Sequence, residues 1–165
     1  TRQQPISYFN DIFGEESVNQ ISDMTGVKGF HRAIPEQTAS DLGYEAAAHL
    51  IEQEKIDRSK IGILVFVSQK PDYRMPSTAF VLHKRLGLSE NCICFDINLA
   101  CSGFIYGLHT ICSMLQASDV ESALVVTGDT SYRTLSPYDR TMIMLFGDSG
   151  TATWIKKDPD GKPMR

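Results

Sequence analysis

One short segment constrains the fold of this chain more than any other. Residues 61–68, IGILVFVS, form a continuous apolar run rich in β-branched side chains. Such a run is typical of a strand that is buried on both faces, as in a parallel sheet with helices on either side. Related runs at residues 92–97 (CICFDI) and 122–128 (SALVVTG) predict two further buried strands.

Helical patterns alternate with these strands. We predict one or two short helices before Gly26, a final strand at SGTATWIKK, and further helices over residues 40–56, 78–88 and 102–117. The helix at 102–117 carries apolar residues at helical spacing and is expected to be largely buried. The alternation predicts an α/β fold with a mostly parallel mixed sheet, helices on both of its faces, and a buried helix following Cys101.

Composition narrows the classes of function. A net charge of -4 argues against a nucleic-acid partner, which usually meets a basic surface. The apolar runs are too short to cross a membrane, and the chain opens without a charged-then-apolar leader. We therefore expect a cytoplasmic protein with no membrane association. We expect one domain over residues 1–157 and a polar tail, or the start of a further segment, at 158–165.

The stretch CFDINLACSGFIYGL places Cys101 between an apolar strand and a predicted helix. A helix that begins beside a cysteine offers free N–H groups and positive dipole character to its thiolate. The small neighbours Ala100, Ser102 and Gly103 leave room for a carbonyl to approach. Taken on the residues alone, a nucleophile and a buried core cysteine remain equally open.

The other three cysteines have a simpler interpretation. Cys92, Cys94 and Cys112 lack the paired spacing and nearby histidines of a zinc site. Cys92 and Cys94 flank one residue of a strand, so they are expected to face the same side. We interpret all three as small buried hydrophobic residues, and we expect no metal.

Several motifs, taken together, resemble those of a known protein family. DINLACSGFIYGL, followed by ALVVTGDTSYRTLSPYDRTMIMLFGDSGTATW, resembles the β-ketoacyl-acyl-carrier-protein synthase III family of the thiolase-like fold. The segments TGV with a downstream HR, and MPSTAFVLHKRLGL, resemble the same family in the upstream half. The resemblance implies that Cys101 accepts an acyl group as a thioester, and that a decarboxylative Claisen condensation with malonyl-acyl-carrier protein follows.

The same resemblance implies roles for two more residues. Arg140 falls where the family binds the phosphate-bearing arm of coenzyme A or of the carrier protein; the alternative is a surface arginine paired with Asp139. Met75 falls where members cap the partner's acyl pocket across a homodimer; the alternative is an ordinary loop methionine. Acyl carrier protein is the implied partner, and coenzyme A or phosphopantetheine thioesters are the implied substrates, with no cofactor. We interpret Asp148 in FGDSG as support for a turn.

Two departures from the family pattern matter. Family members complete the site with a His and an Asn in a second half, and His31, His49, His83 and His109 lie in no matching motif. We therefore interpret the chain as an N-terminal half of such a protein, without the first strand of the fold. We expect it to be inactive alone and to expose an apolar patch.

The second departure concerns the acyl donor. Gln20 and Met24 stand where classical members stack the adenine of coenzyme A between a Trp and an Arg. Two explanations are open: a carrier protein delivers the acyl group, or the enzyme belongs to a specialised branch. Two other functions also stay open, namely acyl transfer without condensation and a non-catalytic half-domain for dimerisation or carrier docking.

Overall fold

A computed structural model describes residues 1–158. Its strands are β1 Arg2–Pro5, β2 Gly29–Arg32, β3 Ile61–Val67, β4 Ile93–Ile97, β5 Ser122–Asp129 and β6 Ser149–Lys156. Its α-helices are α1 Asn10–Phe13, α2 Glu15–Thr25, α3 Ala39–Gln53, α4 Thr78–Leu86, α5 Gly103–Gln116 and α6 Arg140–Ile143. Short 3₁₀ turns lie at Ile6–Phe9, Arg58–Lys60 and Ser131–Thr134. Most of the predicted tail, residues 159–165, lies outside the described residues.

The chain forms two compact units. The smaller unit contains Thr1–Thr38 and Thr130–Ser149, and the larger unit contains Ala39–Asp129 and the chain from Gly150 onward. In the larger unit a four-stranded sheet has the order β4-β3-β5-β6. Strand β3 runs parallel to both β4 and β5.

Strand β6 runs in the opposite direction to β5. The Lys157 N–H donates to the Glu121 carbonyl at 2.8 Å, and the hydroxyls of Thr127 and Thr151 meet at 2.8 Å. Residues late in β6 therefore lie beside the start of β5, and early ones beside its end. The sheet is mixed and mostly parallel, which confirms the prediction.

Helices cover both faces of this sheet because the side chains of a strand alternate between its faces. On one face Leu64 and Phe66 of β3 pack with Ile51 of α3 and Leu82 of α4. On the other face Ile63, Val65 and Val67 of β3 pack with Ile111 and Leu115 of α5. The continuous apolar run in residues 61–67 is thus buried on both faces, as predicted.

Two predictions of burial are wrong. Strand β4 lies at the edge of the sheet and is half-exposed, because only β3 pairs with it among the described residues. Helix α5 is not largely buried either: its buried residues are Gly103, Gly107, Ile111 and Leu115, a single stripe. The sheet covers that stripe alone, so Ile105, on another side of the helix, is 64% exposed.

The smaller unit contains a two-stranded antiparallel sheet, in which β1 pairs with β2. Its core is formed by Ile6, Phe9, Val18, Phe30, Ile143 and Met144. Helix α2 ends at Gly26, whose φ of 76° is a left-handed value that glycine adopts without strain, so the predicted stop is confirmed. Strand β1 was not predicted, because its residues RQQP lack apolar alternation.

Over residues 1–158, no helix combines the length and the apolar character needed to cross a membrane. The same residues contain no group of three or more His, Cys, Asp or Glu side chains arranged to hold a metal ion.

Candidate active site

Cys101 lies in the turn that connects β4 to α5, and its side chain is exposed. A hydrogen bond of 2.7 Å from the Gly103 N–H to the Ala100 carbonyl closes this turn. Helix α5 then begins at Gly103. The first N–H groups of a helix and its positive dipole end stabilise an anion beside them. The structure therefore leaves the Cys101 sulfur accessible, close in the chain to the start of a helix.

Two glycines let α5 lie directly on the sheet. A Cβ atom on Gly103 would come within 2.6 Å of Val67 Cγ1 and 3.3 Å of Leu99 Cβ. A Cβ on Gly107 would meet Val67 Cγ2 at 3.2 Å. The small residue at 103 is predicted to leave room for substrate, whereas in the structure its close neighbour is Val67. The glycine thus fixes where the helix begins, and with it the turn that carries Cys101.

A carboxylate anchors the loop beside this turn. Asp96 of β4 accepts hydrogen bonds from the N–H groups of Thr78, at 2.7 Å, and Ala79, at 2.8 Å. These N–H groups belong to the first turn of α4, so Asp96 caps that helix from a neighbouring strand. Partial burial raises the pKa of Asp96, and the two backbone hydrogen bonds oppose this effect.

A second carboxylate holds the segment that follows β3. Asp129, at the end of β5, accepts a hydrogen bond from the Ser68 hydroxyl at 2.9 Å and others from the N–H groups of Gln69 and Lys70. Sequence reasoning missed both anchors. The available signal was an aspartate at or near the end of each apolar strand, FDI in β4 and TGD in β5.

Met75 lies in the loop between β3 and α4 and is 89% exposed. Because β3 and β4 are parallel neighbours, this loop and the Cys101 turn leave the sheet at the same edge. The loops of Met75 and Cys101 thus both follow the carboxyl ends of neighbouring strands in the larger unit. The predicted role of Met75 across a dimer stays a prediction.

Arg140 belongs to the smaller unit and is the first residue of α6. The Asp139 carboxylate caps this short helix by accepting hydrogen bonds from the N–H groups of Thr141 and Met142, both at 3.2 Å. Hydrogen bonds, first of all that from the Thr141 hydroxyl, lower the pKa of Asp139. Arg140 itself donates from Nη1 to the Ser17 hydroxyl at 3.2 Å. Within the described residues Arg140 and Asp139 form no ion pair, and the predicted binding role of Arg140 stays open.

Asp148 is a buried structural anchor of the smaller unit. Its two carboxylate oxygens accept hydrogen bonds of 2.8 Å from the N–H groups of Ala33 and Tyr132. Its own N–H donates to the His31 carbonyl at 2.8 Å. These contacts agree with the interpretation of Asp148 as a residue that supports a turn.

The remaining cysteines differ from Cys101 in their surroundings. Cys92 is buried and Cys94 half-buried, with their sulfurs 3.9 Å apart, so the predicted shared face is confirmed. The hydrogen-bond contact with Cys92 lowers the pKa of Cys94. The same contact, together with burial, raises the pKa of Cys92. Cys112 is half-buried on α5.

The four histidines lie outside the Cys101 turn. His31 Nδ1 lies 3.2 Å from the Thr1 hydroxyl, and His83 Nε2 lies 2.8 Å from the Ser89 carbonyl. His49 and His109 are exposed on α3 and α5. These positions match the interpretation of the histidines as satisfied or solvated side chains.

Apolar side chains are exposed around Cys101. Leu99 precedes it, and Phe104, Ile105 and Tyr106 follow it on the first turn of α5. We call these four residues the apolar rim. An exposed cluster of this kind marks a surface that another chain, another segment or an apolar ligand covers. It agrees with the expectation of an exposed apolar patch.

A mixed sheet between helices, with a cysteine turn at the start of a helix that packs on that sheet, is the arrangement that the resemblance to the thiolase-like fold predicts. Comparison with known proteins narrows the class. A model of the 3-oxoacyl-[acyl-carrier-protein] synthase III family matches residues 95–164. The β-ketoacyl-[acyl-carrier-protein] synthase III of Xylella fastidiosa is 38% identical over 140 residues, which are 85% of this chain and 43% of that protein.

Solved structures of similar fold include proteins of the same kind as these sequence relatives. A 3-oxoacyl-(acyl-carrier protein) synthase from Burkholderia xenovorans superposes with a TM-score of 0.91 at 35% identity, over 96% of this chain and 45% of that one. A single-residue variant of OleA from Xanthomonas campestris gives a TM-score of 0.78 at 25% identity, over 95% of this chain and 55% of that one. The chain thus spans about half the length of these relatives. Over that half, its sequence and its fold are similar to those of β-ketoacyl-[acyl-carrier-protein] synthase III proteins.

Proposed function

We propose that this chain supplies the acyl-accepting part of a condensing enzyme, with Cys101 as the nucleophile. The observation that carries the proposal is the exposed Cys101 side chain in a hydrogen-bonded turn at the start of α5. Its thiolate attacks the carbonyl carbon of an acyl thioester, a new C–S bond forms at Cys101, and the donor's thiol leaves. Covalent catalysis of this type divides one difficult reaction into two easier transfers.

In the second step, malonyl-acyl-carrier protein loses carbon dioxide, and the resulting carbanion attacks the Cys101 thioester. A carbon–carbon bond forms and the Cys101 thiolate is released. The family's His and Asn for this step match no position in this chain, so we expect the chain alone to accept an acyl group without condensing it. The names of the relatives, which are synthases of acyl-carrier-protein substrates, support this reaction type.

The remaining assignments follow the family. Arg140 would bind the phosphate of the phosphopantetheine arm, and Met75 would reach the acyl pocket of a second copy in a homodimer. Exposure of both side chains is compatible with these roles. A cytoplasmic location and an acyl carrier protein partner belong to the same proposal, with no bound cofactor.

The acyl donor is the point at which this chain departs from its family. Gln20 and Met24 lie on α2, both exposed. Neither side chain provides the aromatic ring or the planar cation that would hold an adenine. We therefore propose that the acyl group reaches Cys101 from a carrier protein rather than from coenzyme A.

Mass spectrometry of the intact protein tests the nucleophile. Incubation with an acyl-carrier-protein thioester should add one acyl group to the wild type and none to Cys101→Ala. Cys112→Ala, which removes a cysteine from the adjoining helix, serves as the matched control and should be acylated normally. Acylation of Cys101→Ala would overturn the proposal.

Two further readouts separate the alternatives. Release of carbon dioxide from malonyl-acyl-carrier protein by the whole enzyme supports condensation, and acyl transfer without that release supports the simpler acyltransferase. A wild type that takes up no acyl group would instead support a non-catalytic docking half-domain. A better rate with acyl-carrier protein than with acyl-coenzyme A is the result expected for the donor.

A further inference from the structure

A second candidate binding site lies in the smaller unit. A cleft of about 870 Å³ opens between the β1–β2 sheet, the segment around Pro35 and the segment around Tyr132. This volume falls within the range of small-molecule sites, roughly 300–1,000 Å³. Three arginines line the cleft: Arg2, Arg32 and Arg133. Arg140 does not line it, so the cleft is distinct from the site proposed for the phosphopantetheine arm.

Two of these arginines face each other across the sheet. Arg2 of β1 and Arg32 of β2 are directly opposite partners in the antiparallel register. Directly opposite residues project to the same face, and like charges in such a pair destabilise it. In the described part of the chain neither guanidinium donates a hydrogen bond or forms an ion pair. An anion placed between them would remove this repulsion.

The Arg32 side chain is held in place by its surroundings. Its guanidinium carbon lies 4.0 Å from the centre of the Tyr132 ring. That ring in turn stacks on Phe30, with centroids 5.5 Å apart and planes 9° apart. Stacking uses the flat face of a guanidinium and leaves the N–H groups at its edge free to donate. Arg32 is therefore preorganised as an anion ligand.

The other charged groups of the cleft are already engaged. Arg133 donates to the backbone carbonyls of Ile34 at 3.3 Å and Gln37 at 2.6 Å. Both oxygens of Asp148 accept backbone N–H groups, as described above. Arg133 thus adds positive charge without free donors on that side, and Asp148 makes no ion pair with Arg2 or Arg32.

Apolar groups complete the lining. Tyr8 and Ile12, both exposed, contribute to the wall of the same cleft. Two facing guanidiniums match the charge of a phosphate monoester dianion, and each can hold phosphate oxygens through two parallel hydrogen bonds. We propose that this cleft binds a phosphate-bearing organic anion, with the phosphate between Arg2 and Arg32 and the apolar body of the ligand against Tyr8 and Ile12.

Calorimetric titration of the intact protein at constant ionic strength tests this site, with phenyl phosphate as the probe. We expect saturable binding that is weakened at least about tenfold in Arg32→Ala. The matched control is Arg58→Ala, an exposed arginine of the larger unit, which should bind as the wild type does. Benzoate, with one charge and the same ring, should bind more weakly than phenyl phosphate.

The variant Arg2→Glu makes the test independent of folding defects. It replaces the repulsive pair with an ion pair opposite Arg32, so the midpoint of thermal unfolding without ligand should be equal to or higher than that of the wild type. Binding of phenyl phosphate should nevertheless be lost. Wild-type affinity in Arg2→Glu, an equal loss in Arg58→Ala, or no wild-type binding up to about 10 mM would overturn the proposal.

Discussion

Cysteines lie near both ends of strand β4, and they differ in burial and in their neighbours. Cys92 immediately precedes the strand, and Cys94 lies within it; the pair packs with the core under α3 and α4, the two sulfurs in contact. Cys101 follows the end of the strand, exposed in a turn at the start of a helix. Cysteine is thus a core element at the start of the strand and a candidate nucleophile in the turn that follows it.

Three factors separate a reactive cysteine from a structural one. Burial disfavours a thiolate, whereas a helix N-terminus favours it, and access decides whether an electrophile can reach the sulfur. At the Cys101 end Gly103 permits the close approach of α5 to Val67, and the helix begins two residues after the cysteine. In the described part of the chain, no helix begins within a few residues after Cys92 or Cys94.

The largest expected difference between the two ends is in alkylation rate. In the folded protein at neutral pH, iodoacetamide should label Cys101 about 100-fold faster than Cys92, because Cys101 is exposed beside a helix N-terminus and Cys92 is buried. Peptide mass spectrometry of timed samples measures both sites at once. In denaturant the two rates should converge. Equal rates in the folded protein would show that the two ends do not differ in reactivity.

A second prediction concerns the packing of α5 against the sheet at Gly103. Gly103→Ala places a methyl group 2.6 Å from Val67 Cγ1, so it should lower the free energy of unfolding by about 1–3 kcal/mol and change the labelling rate of Cys101. Urea denaturation of the two proteins measures the first effect. Ser102→Ala is the control in the same turn, because the Ser102 side chain makes no cap hydrogen bond. Equal stabilities of the wild type and Gly103→Ala would show that the contact with Val67 does not position the helix.

The sequence predicts the strand-to-helix turn that carries Cys101. It does not predict how exposed the neighbouring strand β4 and the first turn of α5 are. The apolar runs and their spacing predicted β3, β4, β5 and α5, and the strand-to-helix turn at Cys101 follows from them. Exposure of the first turn of α5 did not follow, because an apolar helix pattern does not say how many partners cover it. For the same reason β4 was predicted as a buried strand, although it lies at the edge of the described sheet.

The contacts that hold the site were harder to predict still. Asp96 bonds to residues 17 and 18 positions earlier in the chain, and Asp129 bonds to a loop about 60 positions earlier. Such pairs depend on which strands are neighbours in the sheet, and the local pattern of apolar residues does not determine the order of the strands. The cross-strand pair Arg2 and Arg32 was missed because β1 itself lacks an apolar pattern.

The third prediction tests the anchor at Asp96. Asp96→Ala removes the acceptor of two N–H groups of α4 and should destabilise the protein by about 1–2 kcal/mol. Burial raises the pKa of Asp96 in the folded state, so the wild-type carboxyl binds its proton more tightly there than in the unfolded chain. Its contribution to stability is largest below the unfolded pKa and is lost as the pH rises through the folded pKa. The destabilisation by Asp96→Ala should therefore grow as the pH falls from 7 towards 4.

Urea denaturation at several pH values measures this trend. Asp139→Ala is a control of opposite sign, because hydrogen bonds lower the pKa of Asp139 and its contribution is lost as the pH falls. A destabilisation by Asp96→Ala that shrinks at low pH would mean that hydrogen bonding outweighs burial at this carboxyl.

The smallest expected effect lies within the buried pair itself. Contact with Cys92 lowers the pKa of Cys94, whereas contact with Cys94 and burial raise the pKa of Cys92. Since alkylation requires the thiolate, labelling of Cys94 should rise with pH before labelling of Cys92 does. Cys92→Ala removes the S–H donor and should move the Cys94 profile to higher pH, whereas Cys112→Ala should leave it unchanged. If Cys92 labels first, the proton resides on Cys94, and the two sulfurs have exchanged the roles assigned to them.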